Sequence, residues 1–178
     1  MEGIFLALAI TFGLNIFAEQ EIKLGRSIAE HKEGRPVLDY ALGKDGFLIS
    51  ESVVEALLKN NARPNEKYRQ GTVWGRYLTS ISLSAALIPD SFRITELLIQ
   101  YGAEQKPQVD FRERAAAGKI YRYPVYISPS DVFRKNYSAE QAERLEAMLF
   151  KSRKQSQKRS LVSKLGGLFG KDKPTSKT

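Results

Sequence analysis

The residue types that most often carry chemistry are sparse in this 178-residue chain. There is no cysteine, which removes thiolate nucleophiles, disulfides and Cys-ligated metals. The single histidine, His31, stands in "AEHKEG" beside Glu30 and Glu33. One imidazole and two carboxylates are the donor types of a metal site, but no second histidine exists and the segment reads as a polar, solvated connection. A serine nucleophile would depend on that same histidine, and no G-x-S-x-G elbow is present. "GGLFGKDK" contains the Gly-Lys of a phosphate-binding loop. That loop requires glycine five residues before Gly170, where Leu165 stands, and a hydroxyl after Lys171, where Asp172 stands. The sequence thus points to no catalytic residue, no cofactor and no metal, and to a protein that is not an enzyme.

Recognition chemistry is better represented. The stretch "QKPQVDFRERAAAGKIYRYPVYIS", Gln105 to Ser128, sets Phe111, Arg112 and Arg114 on one side of Gly118 and Tyr121, Arg122 and Tyr123 on the other. Two such runs around a glycine predict a projecting finger or β-hairpin. Arginine and aromatic side chains are favoured as interface anchors. The competing reading lays Tyr121 and Tyr123 down on the body as packing residues. "NEKYRQGT" (Asn65 to Thr72) offers a second group, Lys67, Tyr68 and Arg69, as an adaptable polar and aromatic patch.

The charge is concentrated in the tail. Residues 151–178 hold nine basic side chains and one acidic, Asp172, a surplus equal to the net +8 of the whole chain. The preceding 150 residues are therefore neutral in sum, so the high pI does not describe a basic folded surface that grips nucleic acid. Lys151, Arg153, Lys154, Lys158 and Arg159 form a stretch of the kind read by nuclear import receptors. Beyond them, Leu161, Leu165, Leu168 and Phe169 share a helical face, which suits contact with an anionic membrane. Gly166 and Gly167 oppose that helix by about 1 kcal/mol each. The third reading is a disordered soluble extension.

These groups need elements to hold them. "IFLALAITFGLNIF" (Ile4 to Phe17) is too short and too interrupted for a span, which takes about 20 apolar residues. It also lacks the basic start and the cleavage pattern of a signal peptide. A buried helix over Phe5–Phe12 and a second over Ile16–Leu24 are expected. Pro36 is placed at the first helical position of "GRPVLDYALG", with Asp39 as a negative charge near the positive end of the helix dipole; Ser50 and Ser52 both offer N-caps for "VVEALLKNNARPN", and Ser52 with Glu55 fits a capping box. Asn61 reads as a left-handed C-cap and Pro64 as the point beyond which no helix continues. The device recurs 41 residues on, where "ITELLIQYGAEQ" sets Ile94 against Val53 and Gly102 against Asn61. Ser128 with Pro129, and Ser138 with Gln141, mark two further helix starts, and Ala142, Leu145, Met148 and Leu149 keep helical spacing.

"GRPVLDYA" followed by "VVEALLKNNARPN" resembles an ankyrin repeat, as does "GTVWGRYL" followed by "ITELLIQYGAEQ". "LALAITFG" (Leu6 to Gly13) is similar to the start of another unit. The wording of "RPVLDYAL" and "RPNEKYRQGTVWGRYL" particularly resembles ankyrin segments of large proteins from filamentous fungi, where an NTPase module often precedes them; no such module is present here. Asp39, Gly75 and Asp131 replace the family's histidine, and the 41-residue spacing exceeds the usual 33 or so.

The resemblance implies an all-α fold: a short ankyrin-repeat-like solenoid of about four degenerate helix pairs over residues 4–150. To this are added the β-hairpin insertion and a largely disordered basic tail over 151–178. Trp74 takes the place of a core leucine. The function implied is protein–protein interaction through the loop tips and inner helix face. The alternative is an adaptor that meets membrane or nucleic acid through its tail. An intracellular setting, cytoplasmic or nuclear, is expected over secretion. Phe5, Leu8 and Phe12 are apolar for an end unit, which raises oligomerisation through that end.

Overall fold

A computed structural model describes residues 2–25, 34–43, 49–69, 71–84, 91–114 and 120–151. The tail residues Arg153, Lys154, Lys158, Arg159, Leu161, Leu165, Leu168 and Phe169, like His31, lie outside them. The described part is predominantly helical. Its helices are α1 (Glu2–Thr11), α2 (Asn15–Lys23), α3 (Val37–Ala41), α4 (Glu51–Lys59), α5 (Val73–Ser84), α6 (Ser91–Gln100), α7 (Pro129–Asn136) and α8 (139–151). Two strands, β1 (Gln108–Arg114) and β2 (Ile120–Tyr126), stand between α6 and α7 and pair antiparallel.

Local chemistry explains most helix starts. Ser128 accepts a hydrogen bond from the Asp131 amide, with Pro129 at the first helical position of α7. Ser138 and Gln141 close a reciprocal box: the Gln141 amide donates to Ser138 Oγ and the Ser138 amide to Gln141 Oε1. Two expectations are corrected. The cap of α4 is Ser50, whose hydroxyl receives the Val53 amide, while Ser52 bonds only to Ser50 Oγ and Glu55 pairs with Lys59. The helix begins two residues earlier, with Glu51 and Ser52 inside it. Likewise Pro36, with ψ 138°, precedes α3 as its cap instead of opening it.

The ends of α4 and α6 are built alike. Asn61 (φ 71°) and Gly102 (φ 90°) both sit in the left-handed region. After each, the chain folds back: the Ala62 amide donates to Leu57 O at 3.0 Å, and the Ala103 amide to Leu98 O at 3.0 Å. The preceding amides, Asn61 and Gly102, reach Leu58 O and Ile99 O. This pair of bonds satisfies carbonyls that the helix end leaves open. The 41-residue recurrence read from the sequence is therefore a recurrence of backbone conformation and also of burial. Val53, Leu57 and Leu58 are buried in α4, as are Ile94, Leu98 and Ile99 in α6.

Packing joins helices of like position. α1 meets α3 and α5 meets α7, while α4 lies between α2 and α6. Within pairs, α1 packs on α2 and α3 on α4. One apolar cluster runs through all of them, from Leu6 and Ile10 through Leu38, Val54, Trp74, Ile81 and Leu98 to Phe133 and Leu145. The helices bury their apolar sides in this shared cluster. Trp74 is fully buried, as expected. Its indole N–H donates to Glu104 O at 2.9 Å, and its ring lies 6.2 Å from Tyr77 and 6.4 Å from Phe133.

Candidate partner-binding surface

The loop between α4 and α5 is held by its own backbone. The Trp74 amide donates to Pro64 O and the Val73 amide to Glu66 O, which pulls both ends together. Lys67 bridges Thr72, the Tyr68 amide donates to Gly71 O at 2.8 Å, and Arg69 takes a positive φ of 48° at the tip. Thr72 Oγ1 then caps α5 by accepting the Gly75 amide. Lys67 and Arg69 are exposed. Tyr68 departs from the exposed role expected of it, being only 8% accessible. The guanidinium carbons of Arg69 and Arg76 each lie 5.2 Å from its ring centroid, so the aromatic face is covered by cations.

Arg76 links this loop to the adjacent helix pair. Its Nε donates to Asp39 Oδ1 at 2.9 Å, while Arg35 Nε meets Asp39 Oδ2 at 2.6 Å. Asp39 is buried, and Arg35 also lies 3.9 Å above the Tyr40 ring. One carboxylate thus gathers two guanidinium groups, beside the loop that carries exposed Lys67 and Arg69. Sequence reasoning missed Arg35, Tyr40 and Arg76. The Arg35–Asp39 spacing of four residues was a visible signal for the first pair; Arg76, from another layer, gave none.

The loop also touches the strand pair. Gly71 forms an antiparallel bridge with Val109, at the start of β1. The strands occupy the place after α6 that the shorter loop occupies after α4. Their register sets Phe111 opposite Tyr123, Arg112 opposite Arg122, Glu113 opposite Tyr121 and Arg114 opposite Ile120. The candidate residues Phe111, Arg112, Arg114, Tyr121, Arg122 and Tyr123 therefore all fall within two paired segments. Their backbones form one ribbon continuous with the loop carrying Lys67 and Arg69. The tail candidate Lys151 is the last described residue of α8 and is exposed.

Two buried polar groups elsewhere serve the joints between layers. Thr95 Oγ1 donates to Ser91 O at 2.7 Å and lies 2.9 Å from the Tyr137 hydroxyl; Tyr77 donates to the same carbonyl at 3.1 Å. Burial pushes the Tyr77 phenol well above its ordinary value, with the neighbouring Tyr137 adding to the effect, and burial raises Tyr137 as well. Along α4, α6 and α8, Glu51 pairs with Arg93, Arg93 with buried Glu96, and Glu96 with Arg144 at 2.6 Å. The bond to Glu51, then that to Glu96, raises Arg93 further. These chains carry no nucleophile–base pair. Among the described residues no group of three His, Cys, Asp or Glu could hold a metal ion, and no helix is long and apolar enough to cross a membrane.

No family model matches the chain, and no curated protein or solved structure matches it significantly.

Proposed function

We propose that this chain is an ankyrin-type solenoid that binds another protein, without catalysis or cofactor. Its binding side is the ribbon of Lys67, Arg69, Phe111, Arg112, Arg114, Tyr121, Arg122 and Tyr123, with the Asp39 cluster at its base. The observation that carries the reading is the placement of Arg76. It ties the exposed loop to the next layer through Asp39 while two guanidinium groups share one carboxylate. A surface preorganised in this way, with cations over aromatic rings, suits a partner segment that brings carboxylates. The like-with-like helix packing and the matching ends of α4 and α6 support the ankyrin-type reading.

The test is a pull-down from extract at low and high salt. It compares the full chain, a chain ending at Lys151, and the full chain carrying Lys67→Glu with Arg69→Glu. The expected result is the same captured proteins with and without the tail, and loss with the double variant. Capture that survives the double variant but fails without the tail or in high salt overturns the reading.

A second reading has an observation of its own: the tail's nine basic residues against one acidic. Through Lys151, Arg153, Lys154, Lys158 and Arg159, with Leu161, Leu165, Leu168 and Phe169, the chain would meet an anionic membrane or nucleic acid. Such binding weakens steeply with ionic strength. A cytoplasmic or nuclear setting fits either reading.

A further inference from the structure

The turn after α4 reaches the turn after α6 through Asn65, whose side chain bonds to Gly102 O and to the Glu104 amide. The 41-residue spacing that relates Asn61 to Gly102 places Lys106 where Asn65 stands. Lys106 cannot repeat that grip, because an ammonium donates but does not accept. The bond to the next layer is made one residue earlier, by Gln105, whose Nε2 donates to Leu149 O at 3.3 Å. Lys106 is thereby released from the joint. It is exposed and forms no ion pair with a described residue.

Lys106 instead lines a cleft of about 570 Å³. Tyr126 of β2 and Phe150 of α8 wall it, 67% and 54% exposed, and buried Leu149 lies between the polar and apolar parts of its lining. Ser130, in the first turn of α7, adds a hydroxyl that bonds to no described residue. Among the described residues that line the cleft, Lys106 alone is charged. The volume falls within the roughly 300–1,000 Å³ of sites that hold small organic groups. Aromatic walls favour a further ring, offset or edge-on. The ammonium offers only donors and the serine hydroxyl another, so their complement is an anionic acceptor. The cleft also continues the proposed binding ribbon: at its foot the Ile127 amide donates to Pro107 O, one step beyond the pairing of Gln108 with Tyr126.

We propose that this cleft docks an aromatic side chain of a protein partner together with an adjacent carboxylate. The ring lies between Tyr126 and Phe150, and the carboxylate meets Lys106. This rests on the reading of the chain as a protein-binding solenoid, and it names the residue chemistry of a second contact.

Fragments that carry these two groups test it on the full isotope-labelled chain. Hydrocinnamate, hydrocinnamamide and phenethylammonium are titrated in turn while the amide resonances are followed. The expected shifts are confined to Lys106, Tyr126, Ser130, Phe150 and their neighbours, with the acid binding about tenfold more tightly than the amide. Lys106→Glu should abolish that preference and favour the ammonium, while Phe150→Ala should weaken acid and amide alike. Equal affinity for acid and amide, shifts scattered over the chain, or no response at millimolar fragment overturns the proposal. So does binding seen only when Leu161→Glu and Leu165→Glu are introduced, which would assign the cleft to the chain's own tail. The wider reading fails separately: protein capture that survives Lys67→Glu with Arg69→Glu counts against it whatever the titration shows.

Discussion

Asn65 Nδ2 donates to the carbonyl of Gly102 at 2.7 Å, from a position 37 residues earlier in the chain. The same side chain accepts the Glu104 amide through Oδ1 at 2.9 Å. The turn after α4 thereby grips the turn after α6, and Trp74 bonds to Glu104 O from the buried side of the same segment. Asn65→Ala leaves that segment without both bonds and should cost about 1–2 kcal/mol, given that the site is partly solvated. Asn65→Asp keeps the acceptor alone and should fall between. Urea unfolding of the three chains gives the order.

Asn61 and Gly102 hold equivalent positions with different residues, which allows a paired experiment of opposite sign. Gly102→Ala meets no atom within 4 Å, so its cost is backbone strain alone, about 1–2 kcal/mol for a left-handed alanine. Asn61→Gly removes a smaller strain at φ 71° and should stabilise by a few tenths of a kcal/mol or more. Thermal midpoints moving down for the first and up for the second would support equivalence of the two turns. Two shifts of the same sign would refute it.

Asp39 pairs with both Arg35 and Arg76. Removing one partner of a buried pair typically costs about 3–5 kcal/mol; the arginines here keep some contact with water, which places Asp39→Ala near the lower end. Asp39→Asn retains the shape and an acceptor and should cost less. Arg76→Met tests whether the joint needs charge: packing over Tyr68 survives, and the loss should be smaller than for Asp39→Ala. Denaturant midpoints measured at one salt concentration rank the three.

Elements with a local cause were legible in the sequence. The starts of α7 and α8 follow from Ser128–Pro129 and Ser138–Gln141, and the ends of α4 and α6 from Asn61 and Gly102, because each depends on residues within one turn. Errors arose where two local solutions competed, as at Ser50 against Ser52. What the sequence could not show was the joinery between layers. Asp39 reads as a first-turn acid suited to the helix dipole, yet its partner Arg76 lies 37 residues away on α5. Tyr68 reads as an exposed aromatic beside Lys67 and Arg69, yet Arg76 covers it from another element. Thr95 and Glu96 are polar residues inside a helical stripe; beyond the local Ser91 O and Arg93, Tyr137 and Arg144 arrive from elsewhere in the chain to complete their partners.

Stability at alkaline pH should report on the joint around Ser91 O. The Tyr77 phenol sits in the core with its folded pKa raised above the ordinary 10.0, chiefly by desolvation, and Tyr137 is raised for the same reason. Below pH 10 both states keep these protons, and the groups add no pH dependence. Above it the unfolded chain loses protons that the folded chain retains, so the folded state binds more protons and stability falls as pH rises. The fall starts near the unfolded value and continues until the folded phenols ionise. Tyr77→Phe removes one such group and should flatten that limb. At neutral pH it leaves Ser91 O with Thr95 still donating, at a cost of about 1 kcal/mol. Urea unfolding from neutral pH into the alkaline range checks both halves. An alkaline limb as steep in Tyr77→Phe as in the wild type would place the ionising group elsewhere.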